Sequence, residues 1–263
     1  MKVASNGVQI HVKDQGVGSP VIVFLHYWGG SSRTWDDVLA ALPAGYRTIT
    51  PDNRGWGKSD GPATGYALDD FVNDTLAVIA ALDLKHYVLV GHSMGGKIAQ
   101  LFASRRPVGL VGLVLVAPSP PCPLVLPLEV RAAMETAYDS RESVGMAIDH
   151  MLTAKPLSPK HREQVIEDSL RGAPQAKAAW PNSTSHEDIT HEVTAINVPT
   201  LVIAGELDRI DPVATLEAEV LTRIPQSTLQ VLPGTGHLSP LESPTEVAAI
   251  IRDFVDGLEQ LKR

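Results

Sequence analysis

The chain is poor in three things, and each shortage closes off a class of function. Cysteine is the first: Cys122 is the only one in 263 residues. An intrachain disulfide and a cysteine-based zinc site are therefore both impossible. Cys122 lies among prolines and reads as structural or incidental rather than as a nucleophile. Positive charge is the second. The 22 Lys and Arg residues face 30 Asp and Glu, a net charge of −8. That balance argues against a nucleic-acid partner, because a phosphate backbone needs a basic surface. Long apolar runs are the third. None approaches the roughly 18 residues of a membrane span, and the first residues hold no apolar stretch of the kind a secretory signal requires. The expectation is a cytoplasmic protein without a membrane partner. No paired His or Cys has metal-ligand spacing, so no metal is expected. Gly-x-Gly-x-x-Gly is also missing, and Gly55-Trp56-Gly57 does not replace it as a dinucleotide loop.

What is present reads as a globular α/β chain. Hydrophobic residues make up 44% and charged residues 20%, the balance of a folded domain. The length suits one large α/β domain, or a core with an inserted cap. Val3, Val8, Ile10 and Val12 alternate with polar residues around Asn6-Gly7, which predicts an antiparallel hairpin. Val21–Leu25, Tyr46–Thr50, His86–Val90, Leu110–Val116, Leu201–Ala204 and Thr228–Leu232 are short apolar strands. Helical periodicity falls over Thr34–Leu42, Leu68–Leu82, Lys97–Ser104 and Val213–Ile224. A last helix starts at Ser243-Pro244-Thr245-Glu246, a capping box with proline at the first helical position. This alternation predicts an α/β fold: a mostly parallel twisted sheet with helices on both faces.

The rhythm breaks at Pro118-Ser119-Pro120-Pro121-Cys122-Pro123. From about Leu126 to Trp180 only helical patterns follow, near Leu128–Tyr138, Ser143–Leu152, Pro159–Leu170 and up to Trp180. The expected organisation is a core of residues 1–118 and 191–263, with a helical cap, residues 119–190, inserted after the sixth strand.

The chemistry concentrates at Gly91-His92-Ser93-Met94-Gly95. A strand runs into Gly-x-Ser-x-Gly and a helix runs out of it, which puts Ser93 on a strained turn at a strand end. A serine hydroxyl is a weak nucleophile until a base takes its proton. The base is best a histidine fixed by a carboxylate. Two later strand ends supply candidates: Gly205-Glu206-Leu207-Asp208 and Gly234-Thr235-Gly236-His237. Strand C-terminal ends are where open α/β sheets hold their sites. Glu206 and Asp211 compete with Asp208 for the acid role.

With these pieces, and with His26-Tyr27-Trp28-Gly29 and Asp52-Asn53-Arg54-Gly55-Trp56-Gly57-Lys58-Ser59, the chain resembles the α/β-hydrolase superfamily over nearly its whole length. It looks closest to the small-capped esterases and cofactor-free haloperoxidase-like enzymes. The resemblance implies a Ser93–Asp208–His237 triad and no cofactor. It implies an oxyanion hole from the amides of Met94 and Trp28, with Tyr27 standing where glycine is common. His26 is expected to brace that loop, and Asp52 and Arg54 to brace theirs. His11, His86, His150, His161, His186 and His191 lack such context and read as solvated or cap residues.

A serine nucleophile argues against the aspartate-dependent epoxide hydrolases and haloalkane dehalogenases. It favours acyl transfer on a small-molecule partner, a small to medium apolar carboxylic ester, with Tyr27 and Trp180 as candidate substrate contacts. Lactone hydrolysis, perhydrolysis and C–C cleavage use the same triad. A small-molecule receptor that retains the triad is the alternative of another class.

Overall fold

The computed structural model of the chain, which describes residues 1–260, gathers the apolar runs into one eight-stranded sheet. The strands are β1 (Lys2–Ser5), β2 (Val8–Gln15), β3 (Val21–Leu25), β4 (Thr48–Pro51), β5 (Tyr87–His92), β6 (Leu110–Val116), β7 (Thr200–Gly205) and β8 (Ser227–Leu232). Their order is β1-β2-β4-β3-β5-β6-β7-β8. The pairs β1–β2 and β2–β4 are antiparallel and every other neighbouring pair is parallel. Asn6 and Gly7 both have positive φ, +42° and +83°, which the tightest hairpin turns demand. The expected hairpin, α/β class and mostly parallel sheet are all present.

The helices are α1 (Asp36–Ala41), α2 (Leu68–Ala81), α3 (Met94–Ser104), α4 (Leu128–Thr136), α5 (Arg141–Ala147), α6 (Pro159–Arg171), α7 (Pro174–Asn182), α8 (Val213–Leu216), α9 (Ser239–Glu242) and α10 (Pro244–Gln260). They lie on both faces because the strands are apolar on both. Side chains alternate across a strand. Val23, Leu25, Leu89, Leu113, Leu115 and Val202 therefore join one apolar cluster, together with Phe71 and Val72 of α2 and Ile98 and Phe102 of α3. Ile22, Phe24, Val88, Val90, Val114 and Ile203 join the other, with Val38 of α1 and Val247, Ile251 and Val255 of α10. Each such buried side chain contributes about 1.5–3 kcal/mol relative to exposure.

Between β6 and β7 the chain forms helices α4–α7 and short helical turns, with no strand. Two helices depart from the expected pattern. α5 runs into a π-helical turn, Ile148–Leu152, where one regular helix was expected. Thr153 explains the wide turn, because its N–H and its Oγ both donate to the Ile148 carbonyl, at 3.2 and 2.9 Å. α8 likewise gives way to a π-helical turn, Glu217–Leu221. Among the described residues no helix is long and apolar enough to cross a membrane.

The parallel register decides where chemistry can occur. Leu25 aligns with Gly91, His92 with Val116, and Gly205 with Leu232. The loops that leave β3, β5, β7 and β8 therefore open at one edge of the sheet.

Candidate active site

Ser93 joins β5 to α3 with φ +53° and ψ −115°. A non-glycine residue in this region costs on the order of 1–3 kcal/mol and persists only when its surroundings over-determine it. Three backbone bonds do so: the Ser93 N–H donates to Val116 O, and Ser93 O accepts from the Lys97 and Ser119 N–H groups, each at 3.1 Å. Two glycines make room for the turn. A Cβ on Gly91 would collide with the Gly95 carbonyl, and one on Gly95 would lie 2.6 Å from the Leu25 carbonyl.

The loops after β7 and β8 bring two side chains to this serine. His237 Nε2 lies 2.9 Å from Ser93 Oγ, and His237 Nδ1 lies 2.9 Å from Asp208 Oδ2. All three residues are buried. Asp208 Oδ1 accepts from the Ile210 and Asp211 amides, at 2.8 and 3.1 Å. Only Oδ2 therefore remains to face the imidazole. Burial alone would raise the Asp208 carboxyl, but the charge and hydrogen bond of His237 and the two amides hold it below the ordinary value. Burial alone would lower His237, yet the adjacent Asp208 charge and hydrogen bond raise it. With a carboxylate on Nδ1, the proton resides there and the Nε2 lone pair is directed at Ser93. His92 supports the base from behind, its Nε2–H donating to the His237 carbonyl at 2.8 Å. Burial lowers His92 to about 3, so it stays neutral.

The loop after β3 supplies a second element. His26 Nδ1 meets the Tyr27 carbonyl at 2.7 Å, and a carbonyl only accepts, so Nδ1 carries the proton. His26 Nε2 accepts from the Asn53 amide at 2.9 Å. Burial lowers the His26 pKa, in keeping with this neutral form. The Tyr27 carbonyl also accepts from the Gly30 amide at 3.1 Å. A trans peptide sets its N–H opposite its carbonyl, so clamping Tyr27 O fixes the Trp28 N–H. Neither the Trp28 nor the Met94 amide has an acceptor among the described residues. Tyrosine is tolerated at position 27 because the positive φ falls on Gly29, at +97°.

α6 and the turn between α4 and α5 hold this loop in a way no local sequence signal announces. Tyr138 Oη donates to Trp28 O at 2.9 Å, and Ser169 Oγ donates to Gly29 O at 3.1 Å. Ser31 Oγ donates to Asp168 Oδ2 at 2.9 Å, and Arg33 pairs with the same carboxylate at 2.7 Å. The Trp28 and Tyr138 rings lie 4.2 Å apart.

Of the remaining sequence candidates, Glu206 accepts from the Gly234 amide at 2.7 Å and Asp211 makes no bond to His237. Tyr27 is buried against the His92 ring, 5.2 Å away, and Trp180 is buried in the same apolar cluster as Leu25, Leu89 and Phe71. Asp52 accepts from the Ser32 and Lys58 amides at 2.6 and 2.9 Å, and Arg54 pairs with Asp74. His11, expected in solvent, instead pairs with Asp52 at 2.9 Å, and His161 pairs with Asp37 at 2.6 Å. Among the described residues no cluster suits a metal ion.

A serine, an imidazole and a carboxylate in hydrogen-bond contact can carry out acyl transfer. The model of the Alpha/beta hydrolase family matches residues 22–250. The chain belongs to this family. The hydrolase is 33% identical to a non-heme haloperoxidase of Rhodococcus erythropolis, over 97% of this chain and 98% of that one. An esterase from Exiguobacterium antarcticum superimposes with a TM-score of 0.89 at 27% identity, covering 97% of this hydrolase and 98% of the esterase. A thermophilic esterase from Thermogutta terrifontis does so with a TM-score of 0.86 at 26% identity, covering 98% of both.

Proposed function

We propose that this hydrolase cleaves carboxylic esters through Ser93, His237 and Asp208. The observation that carries the reading is the unbroken chain Ser93 Oγ–His237–Asp208, with both links at 2.9 Å. In the first half-reaction Ser93 Oγ attacks the ester carbonyl carbon while His237 Nε2 takes its proton. The developing oxyanion accepts from the Trp28 and Met94 amides, and removing one such donor typically costs about 100- to 1,000-fold in rate. His237 then protonates the departing alkoxide, which leaves as the alcohol and an acyl-enzyme. In the second half-reaction water attacks that ester, His237 again takes the proton, and the acid departs as Ser93 recovers its own.

Residues 119–190 serve as a cap, with Tyr27 and Trp180 near the acyl group, and the substrate is a small to medium apolar ester. Hydrogen peroxide in place of water would yield a peracid from the same acyl-enzyme. The similarity to a non-heme haloperoxidase favours testing that second reading. Measuring p-nitrophenyl acetate hydrolysis by wild type and Ser93→Ala tests the first. Loss of turnover in a folded variant supports it, and turnover at the wild-type rate rules it out.

A further inference from the structure

One ionisable group beside the site has no part in this mechanism. Asp211 is 4% exposed, and its Oδ2 is buried without a hydrogen-bond partner among the described residues. An unpaired buried carboxyl oxygen ordinarily costs the full desolvation of that atom. No arginine or lysine makes an ion pair with Asp211 among the described residues, although other buried acids such as Asp74 and Asp168 have theirs.

The loop geometry ties this group to the catalytic centre. The Asp211 amide donates to Asp208 Oδ1, the oxygen that does not face His237. The Asp211 carboxyl lies within electrostatic reach of His237, Asp208 and Lys97. Lys97, on α3 one turn beyond Ser93, does not neutralise it. Its Nζ is committed to the carbonyls of Cys122 and Ser185, at 2.9 and 3.1 Å. Burial and the Asp208 charge push the Asp211 carboxyl up to about 8, with His237 and Lys97 pulling the other way. At neutral pH the group is therefore largely a neutral carboxylic acid. Such a group has one O–H to donate and a carbonyl oxygen to accept.

We propose that Asp211 is a specificity-determining residue, whose buried, unpartnered carboxyl pairs with a hydroxyl group on the acyl chain of the substrate. The pairing is reciprocal: the acid donates to the hydroxyl oxygen and accepts the hydroxyl hydrogen. An alkyl group in that place leaves the carboxyl unpaired, so the site discriminates against it. Sites built to hydrogen-bond a substrate hydroxyl reject the analogue without one more strongly than apolar pockets sort by size. The inference rests on the ester-hydrolase reading and narrows its substrate to short hydroxyacyl esters.

Two isosteric pairs test this. They are methyl 2-hydroxypropanoate against methyl 2-methylpropanoate, and methyl 3-hydroxybutanoate against methyl 3-methylbutanoate. The readouts are kcat/KM with the intact enzyme, and Kd by NMR titration of Ser93→Ala, which needs no turnover. In at least one pair the hydroxyl ester is expected to be favoured about tenfold or more in both readouts. Asp211→Asn, which still donates and accepts, keeps the preference. Asp211→Leu, of similar shape, reverses it and melts no lower than the parent, because it removes an unpaired buried oxygen. Equal affinities in both pairs, or a preference that survives Asp211→Leu, overturn the proposal. A clear drop in melting temperature of Asp211→Leu also counts against it, since that signals a structural partner. A hydroxyl preference in Kd without any ester turnover leaves the inference standing and defeats the ester-hydrolase reading instead.

Discussion

Replacing Asp208 by asparagine changes one heavy atom and reverses the direction of the hydrogen bond to His237 Nδ1. The structure dictates which way the new amide points. Asp208 Oδ1 accepts two backbone N–H groups, from Ile210 and Asp211. In Asp208→Asn the amide oxygen must stay there, since a turned NH2 would face two donors. The NH2 is thereby aimed at His237 Nδ1, now at 2.9 Å from Asp208 Oδ2. Nδ1 must then accept, and its proton moves to Nε2, the nitrogen that faces Ser93. The base is blocked and the anion that stabilises its protonated form is gone. Where such a change has been made in a serine hydrolase with a Ser-His-Asp triad, kcat falls about 10,000-fold. That corresponds to about 5 kcal/mol of transition-state stabilisation. The assay is kcat for p-nitrophenyl acetate, with a melting curve to show that the variant is folded. A folded variant within tenfold of wild type would refute the assignment of Asp208 as the orienting acid.

Two further outcomes follow from the same geometry. The base must be neutral to accept the Ser93 proton, and its surroundings raise its pKa. Its inactive, protonated form therefore persists to higher pH, and kcat/KM should rise through a midpoint above the ordinary histidine value of about 6.5. A midpoint well below that value contradicts the pairing with Asp208. Tyr138→Phe removes the bond to the Trp28 carbonyl and keeps the ring contact. It should lower stability by about 1 kcal/mol and lower kcat severalfold with little change in KM, because the Trp28–Gly29 peptide beside the Trp28 amide loses one of its anchors, leaving the clamp on the Tyr27 carbonyl to hold that amide alone. An unchanged kcat would show that the loop holds its shape without Tyr138.

Much of the fold was legible because its signals are local. Val21–Leu25 and Leu110–Val116 are apolar at every position, which only a strand covered on both faces requires. The placement of Ser93, Asp208 and His237 at one edge of the sheet was legible for a related reason, since each sits in the loop or turn that leaves a strand's C-terminal end. What escaped is long-range. Tyr138 reaches Trp28 across 110 residues and Ser169 reaches Gly29 across 140, and neither has a local pattern. Lys97 shows the limit of periodicity. It occupies a helical position that a lysine would normally turn to solvent, yet it is fully buried because two carbonyls receive its ammonium. Burial lowers its pKa to about 8. In the sequence Asp211 is no more than a rival to Asp208. That its carboxyl lacks a partner emerges only once the chain is folded.

Covalent capture of the nucleophile tests the central claim most directly. The intact enzyme is treated with a fluorophosphonate and digested, and its peptides are weighed by mass spectrometry, with Asp208→Asn and His237→Ala in parallel. One adduct is expected, on Ser93, formed rapidly in the wild type and at least a hundredfold more slowly in either variant. An adduct on another residue, or labelling of Ser93 at the same rate in all three proteins, would contradict a serine activated by His237 and Asp208.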